Sequence, residues 1–101
     1  MFTPKGIVVP VITPFGSDGT VDFPVYRRVV EHLVEQGVHG IFPMGTTGEF
    51  YAVGGEEYRR LLEATVEAVD GRADVYAGAN HITTRGVMEQ IKLVEQVPGI
   101  D

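Results

Sequence analysis

Three apolar runs, residues 7–12, 40–44 and 74–79, alternate along this chain with three stretches of helical periodicity, residues 24–36, 56–69 and 84–97. Nothing else in the sequence limits its folds so sharply. The first two runs are apolar without a break, which suits strands buried on both faces of a parallel sheet rather than strands wet on one side. Parallel strands cannot be joined by a hairpin, and the intervening helices supply the crossovers they need. Pro10 argues against a strand in the first run because it removes a ladder donor; three valines and two isoleucines argue for it. Each strand-plus-helix unit takes roughly 30 to 35 residues, so the expectation is three βα units of an α/β fold. Such units open either a doubly wound sheet or a (β/α)₈ TIM barrel.

Local signals place the elements. Asp22 is a candidate N-cap with Pro24 in the first turn, where a missing N–H costs little. Val25, Val29, Val30, Leu33 and Val34 make one apolar face, Arg27 and Glu31 stand four apart, and Gly37 is a natural stop. The second helix opens with Glu56 and Glu57 at the positive end of its dipole. Tyr58, Leu61, Leu62, Thr65, Val66 and Val69 form its buried stripe, and Asp70-Gly71 closes it. Thr83 or Thr84 caps the third helix, which runs through Val87, Ile91 and Val94 to Pro98-Gly99. Ile100-Asp101 reads as the approach to a fourth strand. A complete barrel takes about 250 residues, and three strands alone leave open edges and an uncovered apolar face. The 101 residues therefore read as part of a larger protein.

Composition removes several functions. With no cysteine there are no disulfides, thiolate metal sites or thiol nucleophiles. A net charge of −6 speaks against nucleic-acid or anionic-membrane surfaces, though not against a small anion held in a local field. No apolar stretch reaches the roughly 18 residues of a membrane span, and no signal-peptide pattern opens the chain. The expected compartment is the cytoplasm. His32 and His39 have no carboxylate or second histidine at ligand spacing and read as structural or solvated.

Function is expected at Gly45-Thr46-Thr47-Gly48-Glu49, where the second strand ends. Glycines let backbone approach a ligand closely, and the two adjacent hydroxyls both donate and accept. Such a turn suits a small carboxylate or phosphate held by N–H and O–H groups. It is neither a P-loop, having no Lys-Ser or Lys-Thr after the second glycine, nor a Gly-x-Gly-x-x-Gly dinucleotide turn. Residues 50–53 are expected to pack back over the strand ends, with Tyr51 a packed ring in preference to a functional phenol.

Taken in order, these motifs resemble the dihydrodipicolinate synthase and N-acetylneuraminate lyase family of pyruvate-dependent lyases. The resemblance rests on Thr13-Pro14-Phe15 with Asp18-Gly19 and Asp22, on Gly37-x-x-Gly40-Ile41 leading into Gly45-Thr46-Thr47-Gly48-Glu49-Phe50, and on Asp70-Gly71-Arg72 leading to Ala77-Gly78. It implies a partial (β/α)₈ TIM barrel, with residues 1–101 the first three βα units of one barrel domain. It implies a lysine Schiff base with pyruvate, no separate cofactor or metal, and an aldehyde as second substrate. Thr46 would be catalytic as a proton relay to a tyrosine, and Gly45, Thr46 and Thr47 would bind the 2-oxo acid's carboxylate. A homo-oligomer, tetramer or dimer, and a setting in lysine biosynthesis are implied as well.

The Schiff-base lysine and relay tyrosine of that family belong to later strands. Lys5 precedes the first strand and Lys92 lies on an outer helix, so neither is the expected nucleophile. Where the family often has a Gly-Thr-Gly-like turn, this chain has Gly78-Ala79-Asn80-His81, and His81 reads as a loop histidine. Adjacent threonines favour a dihydrodipicolinate synthase, where a serine-threonine pair would favour a neuraminate lyase. The alternatives are a 2-oxo-3-deoxy sugar-acid aldolase or dehydratase, and a non-catalytic barrel fragment.

Overall fold

A computed structural model describes residues 2–101. Three parallel strands, β1 (Val8–Pro10), β2 (Gly40–Phe42) and β3 (Asp74–Val75), lie in sequence order, with Ile41 paired to Val9 on one side and Val75 on the other. Helices α1 (Phe23–Glu35) and α2 (Gly55–Val69) follow the first two strands, and α3 (Thr84–Glu95) follows the third. The alternation read from the sequence is the architecture observed.

The strands are shorter than residues 7–12, 40–44 and 74–79, for a visible reason. Val11 N–H still donates to Phe42 O (3.1 Å) and Gly78 N–H to Pro43 O (3.0 Å), so the chains stay paired beyond the regular ladder. Pro10 and Pro43 have no N–H to extend it, and Met44 turns left-handed at φ +63°. Pro10 costs no ladder bond within this three-stranded sheet, where β1 is an outer strand. Val11 donates toward β2, so the nitrogen of the residue before it faces the free side.

α1 starts where Asp22 Oδ1 accepts from Val25 N–H (3.1 Å), and its chain reverses at Gly37, φ +87°. Its fully buried residues are Tyr26, Val30 and Val34. Val30 and Val34 belong to the expected apolar face, Val29 and Leu33 pack against the core partly buried, and Tyr26 is the addition. Tyr26 takes the central place because its hydroxyl has a partner. Thr65 Oγ1 donates to Leu61 O (2.7 Å), which leaves it to accept from Tyr26 O–H at 2.6 Å. Burial raises the Tyr26 pKa above its ordinary value, so the phenol remains a donor. Leu61, Leu62, Thr65 and Val69 of α2 complete this layer against Val11, Ile41 and Val75.

α3 is capped by Thr83, whose Oγ1 accepts from Gly86 N–H (3.0 Å). It ends at Glu95, two residues before the expected 97. Gln96 and Val97 N–H instead bond Leu93 and Val94 carbonyls, the i→i+3 pattern that tightens a last turn. The chain then returns to β3: Asp101 N–H donates to Val75 O (2.8 Å) and Asp101 Oδ2 accepts from Val75 N–H (2.9 Å). The sheet's second face is left partly uncovered. Ile12 is 53% exposed there, and Phe42 stacks on Tyr76 with ring centroids 6.2 Å apart.

Candidate functional site

The turn after β2 is built by backbone constraint. Met44, fully buried, adopts φ +63°, and Glu49 adopts φ +53° at the far side. Glu49 N–H donates to Thr46 O (3.0 Å), closing a tight turn over residues 46–49. Gly45 and Gly48 are buried and Thr46 and Thr47 exposed, so the loop presents two hydroxyls outward from a fixed base. They stand where the parallel strands end, the side on which α/β sheets carry their ligand sites.

The neighbouring strands fix that base. A Cβ on Gly48 would lie 3.1 Å from Val11 O, 3.2 Å from Met44 N and 3.3 Å from Thr13 Oγ1, all in the tight range. A Cβ on Gly78 would strike the Met44 carbonyl outright. The same carbonyl accepts from Asn80 Nδ2 (2.8 Å). Tyr58 O–H donates to Gly78 O (2.9 Å), and burial pushes its pKa up to about 12, so the donor keeps its proton at neutral pH.

Three of these supports, Thr13, Tyr58 and Asn80, were not singled out as site residues from the sequence. Thr13 carried a usable signal, since it is a small polar residue closing an apolar run at a strand's C-terminal end. Asn80 and Tyr58 act through partners 36 and 20 residues away, which no local pattern reveals.

The remaining candidates are placed as follows. Lys5 lies with His39 and Asp74 at the opposite end of the sheet, and Lys92 is exposed on α3. His39 Nδ1 accepts from Ile7 N–H (2.9 Å), and His81 Nδ1 from Thr83 N–H (3.1 Å), so both rings are engaged with backbone. Among the described residues no group of three or more His, Asp or Glu is placed to hold a metal ion, and no helix is long and apolar enough to cross a membrane. In the stretch after the turn, Phe50–Ala52 form a short 3₁₀ turn. Tyr51, expected as a packed ring, is instead 71% exposed, because it projects from this short surface turn and meets the Phe50 ring edge-on. Beside it, a cleft of about 370 Å³ is lined by Phe50, Tyr51, Val53, Asn80, His81 and Ile82.

A sequence model of the Dihydrodipicolinate synthetase family matches residues 3–98. The chain belongs to this family. The 4-hydroxy-tetrahydrodipicolinate synthase of Koribacter versatilis is 36% identical over 97 residues, covering 96% of this chain and 32% of that protein. Among solved structures, the dihydrodipicolinate synthase of Acinetobacter baumannii complexed with pyruvate superposes with a TM-score of 0.90 at 30% identity, over 96% of this chain and 33% of the other. The N-acetylneuraminate lyase of Proteus mirabilis gives 0.84 at 30% identity, over 92% and 32%. This chain thus spans about a third of the length of the family members it matches.

Proposed function

We propose that this chain forms the first three βα units of a (β/α)₈ barrel, and that the whole protein is a Schiff-base-forming class I aldolase or lyase acting on pyruvate. The observation that carries the reading is the pair of exposed hydroxyls, Thr46 and Thr47, on a turn clamped at the C-terminal ends of parallel strands. The uncovered sheet face and the return of Asp101 to β3 support further strands.

In this reading Gly45, Thr46 and Thr47 hold the carboxylate of the 2-oxo acid through O–H and N–H donors, which fixes the carbonyl carbon for attack. A lysine beyond residue 101 adds to that carbon, and loss of water leaves a protonated imine. The adjacent methyl then gives up a proton, and the resulting enamine carbon bonds to the aldehyde carbon. A threonine hydroxyl is too weak an acid to be a general base at neutral pH. Thr46 instead passes a proton between better partners, one of them a tyrosine on a later strand. No separate cofactor is required.

The preferred reaction is that of a 4-hydroxy-tetrahydrodipicolinate synthase, the name carried by the Koribacter relative. Similarity to the Proteus mirabilis lyase keeps a sugar-acid aldolase or dehydratase as the second reading. A cytoplasmic homo-oligomer completes the proposal. The test is reduction with borohydride in the presence of pyruvate. Full-length protein is expected to gain the mass of a pyruvyl adduct and residues 1–101 alone none; unlabelled full-length protein refutes Schiff-base chemistry. Thr46→Val is expected to keep the adduct and lower turnover, and unchanged turnover removes Thr46 from the relay. Turnover with aspartate semialdehyde, N-acetylmannosamine or 2-oxo-3-deoxy sugar acids then decides between the two readings.

A further inference from the structure

Thr13 is 4% exposed, and its hydroxyl has no hydrogen-bond partner among the described residues. Burying a hydroxyl without a partner is unfavourable, and valine offers nearly the same shape without that cost. The position is informative. Exposure alternates from Pro10 through Ile12, exposed, to Val11 and Thr13, buried, so Thr13 points beneath the strand ends rather than out beside Thr46 and Thr47. There its Oγ1 is one of the three atoms, with Val11 O and Met44 N, that a Cβ added at Gly48 would meet, 3.3 Å from that position. The hydroxyl, which can both donate and accept, therefore lies beside Gly48 of the turn that carries the two exposed threonines and is unpartnered there.

We propose that Thr13 is a positioning residue for the Thr46–Thr47 pair: its hydroxyl bonds the backbone of the 45–48 turn when that turn holds a carboxylate, and so sets where the two exposed hydroxyls stand. This rests on the 2-oxo acid reading above. Its chemistry is that of a brace, without contact to the reacting atoms.

The test uses full-length protein with four residues in turn at this position: the native threonine, Thr13→Val, Thr13→Ser and Thr13→Ala. Thr and Val differ chiefly in the hydroxyl, as do Ser and Ala. Thr13→Val and Thr13→Ala are expected to raise KM for pyruvate roughly three- to tenfold over their hydroxyl-bearing counterparts, the effect of one lost hydrogen bond. Thr13→Ser is expected to keep KM near the native value, and kcat at saturating pyruvate is expected to change little in all four. A role confined to the fold would move Tm and leave KM equal within each pair; that result overturns the proposal. Should Thr13→Val fail to fold, the Ser and Ala pair decides alone. Pyruvate and borohydride labelling of the native protein separates the two levels. A labelled protein with equal KM values refutes only the role of Thr13, whereas an unlabelled one removes the parent reading and this one with it.

Discussion

Replacing Gly78 by alanine is the sharpest perturbation available to this site. The added Cβ lands well inside contact distance of the Met44 carbonyl, a backbone group that cannot swing aside like a flexible side chain. The Met44 carbonyl is held by Asn80 Nδ2 at 2.8 Å, and Gly78 is held by its own N–H to Pro43 O at 3.0 Å. Relief therefore requires one of two losses. Either Met44 rotates and gives up Asn80, or Gly78 retreats and gives up Pro43 while stretching the bond from Tyr58. Overpacking costs about 1–3 kcal/mol and a lost hydrogen bond about 1, so the expected penalty is about 2–4 kcal/mol. In a protein of barrel size that lowers Tm by roughly 5–15 °C. Because the Met44 carbonyl precedes the hydroxyl-bearing turn, KM for pyruvate is expected to rise as well. Differential scanning calorimetry and steady-state kinetics on full-length protein read both. The matched control is Gly55→Ala at the start of α2, where nothing lies within 4 Å of the new atom; it is expected to be neutral or to stabilise by up to about 1 kcal/mol. A Gly78→Ala protein with native Tm and KM would refute the clamp.

Two further predictions concern the scaffold. Tyr26→Phe keeps the ring between α1 and α2 but removes the donor to Thr65 Oγ1, and is expected to lower stability by about 1 kcal/mol by chemical denaturation; no loss would mean that the hydroxyl pair contributes nothing net. Arg72, through its hydrogen bond, holds the Glu31 carboxyl below the ordinary glutamate value of 4.5. The sign follows from linkage: a depressed folded pKa adds stability above the unfolded value, lost as pH falls from 4.5 through the folded value. Glu31→Gln should therefore flatten the acid limb of the stability curve below pH 4.5, with added salt shrinking the difference because the pair is exposed. Identical acid limbs would refute this.

The helices were legible because their signals are local: Asp22 and Thr83 as caps, Gly37 as the stop, apolar residues at helical spacing. Tyr26 was missed at the centre of its stripe because its partner, Thr65, lies on another helix 39 residues on. The strands were over-extended for the opposite reason. Hydrophobicity persists through Ile12 and Ala77, but the ladder stops at prolines and at a left-handed Met44 whose φ nothing in its side chain announces. Of the candidate site, the turn itself was readable from its glycines and threonines. Its supports were not, since they meet only once three strands are laid side by side.

Those supports share a property that bears on how the site is assembled. Val11 O, Thr13, Tyr58, Gly78 and Asn80 all come from residues 11–80 of this chain, so the base beneath Thr46 and Thr47 is built from these residues alone. The opposite holds for the other face of the sheet, where Ile12 stands exposed and the Tyr76 hydroxyl is buried without a partner among the described residues. On the barrel reading this divides the labour physically. The turn proposed to hold the carboxylate is built within this third of the fold, on close backbone approaches at Gly48 and Gly78. The covalent step depends on closing the barrel over the Phe42–Tyr76 face, because only closure brings a lysine to the same mouth and excludes the water that would weaken every donor pointing at the carboxylate.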